Sequence, residues 1–190
     1  MRADPKRRSD AEQNREAILA AALEALSESS DVSLNAIAKR ASVANATLYR
    51  HFSTREQLVL AVYEEEVRHL VDAADELLDD ESPSEALRQW VARLAQYAMT
   101  KHGLASALQV ATSQAVGAFP DTYEPIVGAL AKLIAAAEEV GSVRPGLSAD
   151  DVILLFAGLW QMDPTADWKA QSARLYELVL EGLQTDKASG

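Results

Sequence analysis

The sequence holds 190 residues, 48% hydrophobic and 25% charged, with a formal net charge of −11. That length buries a sizeable core in one or two domains, and the lack of cysteine excludes a disulfide framework, a thiolate metal site and a Cys nucleophile. Up to Glu56 the chain is nearly balanced, with nine Lys/Arg against eight Asp/Glu, and the remainder carries nine against 21, so one end can meet a polyanion while the other avoids it.

Ala and Leu dominate and aromatics make up 6%, which favours helix packed on helix. Asp10 suits the cap of a first helix whose face is Ile18, Ala21, Ala22, Ala25 and Leu26. After "SESSDV", Ser33 caps a short second helix with Leu34, Ile37, Ala38 and Ala41 on one face. A third short helix follows, with Val43, Leu48 and Phe52 as its buried residues. "STREQ" pairs Thr54 with Gln57 in a capping box that opens a longer fourth helix, to about residue 78.

"DDESPSEA" marks a seam, with Ser82, Pro83 and Glu85 as cap, first-turn proline and capping-box partner. The fifth helix repeats Leu87, Trp90, Val91, Leu94 and Ala98 and stops at Gly103. A sixth is expected over residues 104–116. The seventh starts near Tyr123, because Pro125 is tolerated only in a first turn, and buries Ile126, Leu130, Leu133, Ile134 and Ala137 before Gly141. Ser148 and Asp151 form another capping box, ahead of the all-round apolar "VILLFAGLW", which needs cover on more than one side. The last helix presents Leu175, Leu178, Val179 and Leu183. The expected fold is all-α, about nine helices, with no strand.

Two short helices joined by a tight turn, with polar side chains on the second, form the helix-turn-helix pattern, whose second helix enters the major groove. Asn45 and Thr47 stand at the front of that helix, away from Leu48 and Phe52. Asn pairs bidentately with adenine and a Thr methyl meets the thymine methyl. Ser33, Tyr49, His51, Thr54 and Arg55 are placed for phosphate, with Ala44 and Arg50 on the same short helix. Arg7 and Arg8, in "RADPKRR", read as an arm reaching phosphates or a minor groove, beside the plainer reading of a solvated terminus.

"SLNAIAKRASVANATLYRHFSTREQLVLAVY" resembles the N-terminal domain of the TetR/AcrR family of transcriptional regulators, whose pattern is "xxxIAxxAGVSxGTLYxHFxxKExL". Ser42 and Ala46 stand where the family has glycine, Ala44-Asn45 where it commonly has Ser-Arg, and Arg55 where it commonly has Lys. Without an arginine at Asn45, the commonest guanine contact is lost and an adenine preference is expected. "GLWQMDPTADWKAQSARLYELVLEGL" is similar to one C-terminal type frequent among these regulators.

The resemblance implies a DNA-binding domain over residues 1–56 and a dimerising, small-molecule-binding domain over 57–190, joined by the fourth helix. It implies a repressor released from a palindromic operator. Helices over residues 150–161 and 165–183 are expected to pair with their copies across a two-fold axis. Trp90, Tyr97, Tyr123, Phe156 and Trp160 are candidate lining of an effector pocket, although aromatics at helical spacing are more often core. Glu65 and His69 lie one turn apart, but no third ligand stands nearby, so no metal or other cofactor is expected. The sequence shows no Gly-rich phosphate loop and no nucleophile elbow, and an enzyme is not expected. The charged N-terminus lacks a secretory signal's apolar core, and no apolar run approaches the roughly 18 residues of a membrane span, so the cytoplasm is the expected location. A helical adaptor with a relict hairpin stays open as an alternative, as does a regulator that activates or needs a co-repressor.

Overall fold

The computed structural model describes residues 5–29, 31–105, 107–109, 122–156 and 167–184, the side chains of 5–9, 102 and 103 aside. Eight helices run through them: α1 (Pro5–Glu28), α2 (Leu34–Arg40), α3 (Asn45–His51), α4 (Arg55–Asp80), α5 (Pro83–Gly103), α6 (Tyr123–Glu139), α7 (Ala149–Leu155) and α8 (Trp168–Leu183). Residues 105 and 107–109 are helical too, where the sequence places a further helix; the rest of that helix lies outside the described residues. Among the described residues the β structure is one isolated antiparallel bridge, Val143 with Gln184. The chain is all-α, with an N-terminal helix-turn-helix.

The chain divides into two compact units, residues 1–65 with 103–120, and residues 66–102 with 121–190. In the first, α1, α2 and α3 pack on one another through Ile18, Ala22, Leu26, Ile37, Ala38 and Leu48, all nearly inaccessible to solvent. Phe52, Leu58 and Tyr63 complete that core, and Leu104 belongs to the same unit. In the second, α4 supplies Leu70, Ala74 and Leu77, α5 supplies Trp90 and Leu94, and α6 supplies Leu130 and Leu133. Trp90 spends its indole N–H on the Leu70 carbonyl, 2.8 Å away, which removes the penalty of burying that donor.

Most starts and stops obey the capping chemistry. Ser33 accepts from the Ala36 amide, Ser148 from Asp151, and Thr54 from Gln57 at 3.2 Å. The Gln57 side chain reaches back one residue further than a capping box requires, accepting from the amide and hydroxyl of Ser53 at 3.1 and 2.9 Å. α6 begins at Tyr123 as Pro125 demands, and Gly141 follows its end at φ 70.

Two boundaries differ from expectation. α1 starts at Pro5 rather than after Asp10, because a proline in the first turn gives up an amide that has no helical partner anyway; Asp10 sits exposed within the helix. The last helix starts at Trp168, where Asp167 accepts from the Ala170 amide at 3.3 Å. No described helix is long and apolar enough to cross a membrane.

Candidate nucleic-acid interface

The turn between α2 and α3 is built without glycine. Ser42 takes φ 56, the one non-glycine residue at positive φ among those described. Its amide donates to the Lys39 carbonyl at 3.2 Å, and the Val43 amide donates to Ala38 at 3.0 Å. That pair of bonds is the Schellman closure of α2, and it aims the chain into α3 at a fixed angle. Arg40 reaches back to α1, its guanidinium bonding the Glu28 carboxylate at 2.8 Å. Arg55 donates to the Val32 carbonyl and so ties the start of α4 to the loop before α2. The recognition hairpin is thereby held from both ends.

On α3 the buried side is Leu48 alone. Asn45, Ala46 and Arg50 are exposed, Tyr49 is 47% exposed, and Thr47 and His51 are half-buried. The polar face is therefore presented outward by a helix that one leucine and the adjoining Phe52 anchor to the core. Ala44 precedes α3 and, lacking a polar side chain, offers no side-chain cap. Ser33 and Thr54 are exposed at two neighbouring helix starts, each with its hydroxyl oxygen accepting one backbone amide. A hydroxyl so engaged still carries a proton to donate. Arg15 lies 5.8 Å over the Phe52 ring and 3.6 Å from Glu65, bracing α1 against α4. The sequence gives no sign of that brace, because it joins residues 50 positions apart.

Arg7 and Arg8 lie within α1 rather than on an arm ahead of it, and their side chains lie outside the described residues.

Of the five aromatic candidates in the second unit, Tyr97 and Tyr123 line one cavity. Tyr97 and Lys101, one turn apart on α5, line a cavity of about 180 Å³. α6 adds Thr122, Tyr123 and Ile126 at its first turn, and α7 adds Ile153 and Leu154. Trp90 and Phe156 are buried but are not among those lining residues, and Trp160 lies outside the described residues. The Tyr123 hydroxyl donates to Asp150 at 3.1 Å. Partial desolvation first, then that bond and the neighbouring carboxylates, hold the phenol above its ordinary value. Lys101, Ile153 and Leu154 went unnoticed in the sequence; the four-residue step from Tyr97 to Lys101 was the available signal.

Four large apolar side chains point outward from α7 and α8: Leu154 and Leu155 at 65% and 58% exposure, Leu175 and Leu178 at 39% and 66%. Among the described residues no group of three or more His, Cys, Asp or Glu could hold a metal ion.

Residues 18–62 match the profile of bacterial regulatory proteins of the tetR family, and residues 82–185 match that of the C-terminal domain of SbtR-like transcriptional regulators. The chain belongs to the TetR family of transcriptional regulators. A TetR transcriptional regulator of Streptomyces coelicolor is 39% identical, with 90% of this chain and 99% of that one covered and a TM-score of 0.85. A TetR regulator of Mycobacterium vanbaalenii is 31% identical over 94% and 99% of the two chains, with a TM-score of 0.75. FadR of Bacillus subtilis, solved in complex with stearoyl-CoA, shares the fold at 19% identity, 89% and 99% coverage and a TM-score of 0.60. No curated protein matches the sequence.

Proposed function

We propose that the protein is a homodimeric repressor that holds a palindromic operator and lets go of it when a small molecule binds. The observation that carries the reading is α3, a short helix with one buried leucine and an outward face of Asn45, Ala46, Tyr49 and Arg50. Such a helix fits a major groove, with Asn45 and Thr47 reading base edges. Ala44, Tyr49, Arg50, His51, Ser33, Thr54 and Arg55 stand around it toward phosphate, and Arg7 and Arg8 extend the contact. Asn45 in place of an arginine favours adenine over guanine.

Dimerisation is supported by Leu154, Leu155, Leu175 and Leu178, which expose apolar surface on the last two described helices. A two-fold axis there spaces two recognition helices for successive major grooves, ~34–36 Å apart. The effector reading is supported by the cavity at Tyr97 and Tyr123 and by the bound stearoyl-CoA in FadR. Coupling of ligand to DNA is then a free energy of about 1–3 kcal/mol, or ~5–150-fold in affinity, and α4, whose residues belong to both units, is its natural lever. The protein acts in the cytoplasm, without a cofactor, and as a regulator rather than an enzyme.

The salt dependence of DNA binding tests the reading. Affinity for a bound duplex should fall linearly on a log–log plot with a slope near −0.9 per phosphate neutralised, and Arg50→Ala should lower the slope by about one unit. A salt-independent association, unchanged by Arg50→Ala and by Asn45→Ala, would point to the adaptor with a relict hairpin.

A further inference from the structure

The recognition helix has little of its own to fix its direction. α3 is seven residues long, buries Leu48 alone, and ends at Phe52, where the backbone turns extended (φ −135, ψ 102) before α4 begins at Arg55. Phe52 is 5% exposed, and its amide closes the last turn of α3 by donating to the Leu48 carbonyl at 2.8 Å. The ring is therefore the pivot between the helix that would read DNA and the helix that follows it. A group that touches this ring bears on the direction of both.

The Arg15 guanidinium, on α1, is such a group. It lies 5.8 Å from the centroid of the Phe52 ring, within the ~6 Å at which a cation is drawn to an aromatic face. The same guanidinium is 3.6 Å from a carboxylate oxygen of Glu65 on α4. A planar guanidinium can lay its face on a ring while an edge N–H points to a carboxylate. A lysine ammonium is a point charge on a flexible stem and does not hold both contacts in one geometry. Arg15 thus ties α1 to the end of α3 through Phe52 and to α4 through Glu65.

Stability does not account for the arrangement. The Arg15 side chain is 42% exposed, and 3.6 Å is longer than a hydrogen bond, so solvent screens most of the attraction. Its effect is geometric, because one rigid group held at two points limits the angle between the elements that carry those points. Hydrogen bonds to base edges demand that angle, whereas contacts to phosphate carry no sequence information. A small tilt of α3 therefore costs discrimination before it costs affinity.

We infer that Arg15 is a positioning residue for sequence reading, which sets the angle of α3 by clamping Phe52 against Glu65. This rests on the reading of α3 as the recognition helix and adds a residue that governs its specificity. A half-exposed arginine has a plainer use as a phosphate contact, and the two roles predict different outcomes. A phosphate contact survives in Arg15→Lys, and its loss in Arg15→Ala weakens every duplex equally while lowering the salt slope by about one unit. Glu65→Gln removes a negative charge, which by electrostatics alone would raise affinity for DNA.

The test compares a duplex selected by the full chain from a random pool with a shuffled duplex of the same length and composition. Arg15→Lys and Glu65→Gln should each lower the preference for the selected duplex about fivefold. Affinity for the shuffled duplex should stay within about threefold and its salt slope should not change, with Tm moving by no more than ~4 °C. The double variant should lose less than the two single losses together, since both act through one clamp. Glu65 makes a further contact within the protein, and that comparison leaves its share out. An undiminished preference in Arg15→Lys overturns the inference, as does tighter binding of the selected duplex by Glu65→Gln. Equal losses on both duplexes in Arg15→Ala, with the lower salt slope, overturn it in favour of a phosphate contact. Enrichment of no duplex at all overturns the reading of α3 itself, and the inference with it.

Discussion

Ser42 holds the backbone at φ 56, where a β-carbon crowds the following carbonyl and costs about 1 kcal/mol or more. The Schellman bonds from Ser42 and Val43 hold it there. Ser42→Gly should therefore stabilise the protein by about 1 kcal/mol, raising Tm by ~2–4 °C for a chain of this size, with DNA affinity unchanged. A lower melting temperature would mean that the serine side chain contributes more than the strain it imposes. Ala44 leaves α3 uncapped, and Ala44→Ser should add roughly 0.5–1 kcal/mol. The Glu28–Arg40 pair sets a pH dependence. The hydrogen bond from Arg40, with its charge adding, holds the Glu28 carboxyl below its ordinary value. A carboxylate depressed in the folded state contributes stability that is present above its unfolded pKa, about 4.3, and lost as pH falls through the folded value. In Arg40→Ala the Glu28 titration followed by NMR should move up into the ordinary range; an unmoved midpoint would show that the pair does not form in solution.

The helices themselves were largely legible, because caps and periodicity are local. Ser33, Thr54 and Ser148 announce their helices by residue type, and the buried faces of α1 and α6 follow from spacing of three and four. What was hidden depends on the third dimension. Nothing local says that Ser42 would accept a left-handed turn that glycine normally supplies, that Arg55 would bond Val32, or that Lys101 would share a wall with Ile153. Periodicity does not separate the aromatics either: Trp90 and Tyr97 are seven residues apart on one helix and both buried, yet Tyr97 borders a cavity and Trp90 is not among its lining residues. Helix α8 carries an element-scale prediction. Leu178 is 66% exposed, so Leu178→Glu should change the melting of the isolated subunit by no more than about 0.5 kcal/mol. In a dimer that buries roughly 800 Å² per partner, the same charge should dissociate the subunits. Sedimentation reads the difference, and an unchanged oligomeric state would place the interface elsewhere.

At the scale of the whole molecule the chain separates its charges. The first 56 residues carry a net charge of +1 and the remainder −12, so the negative potential that repels DNA resides away from the recognition helix in sequence. Acidity of the remainder disfavours non-specific DNA binding, which accords with the proposed contact through the α2–α3 hairpin. Under the proposed function, the same division would let ligand and operator bind different units of one chain, while α4 belongs to both. Spin labels on the two copies of α3 should report a change in separation on effector binding; a fixed distance would remove α4 as the lever.

Selection of bound duplexes from a random pool, at near-physiological salt, tests whether the protein reads a palindromic operator. The expected result is an inverted repeat, with half-site centres one helical turn or a multiple apart, and with an adenine in each half-site whose enrichment disappears in Asn45→Ala. Recovery of no common sequence, or of a single unrepeated site indifferent to Asn45, would contradict it.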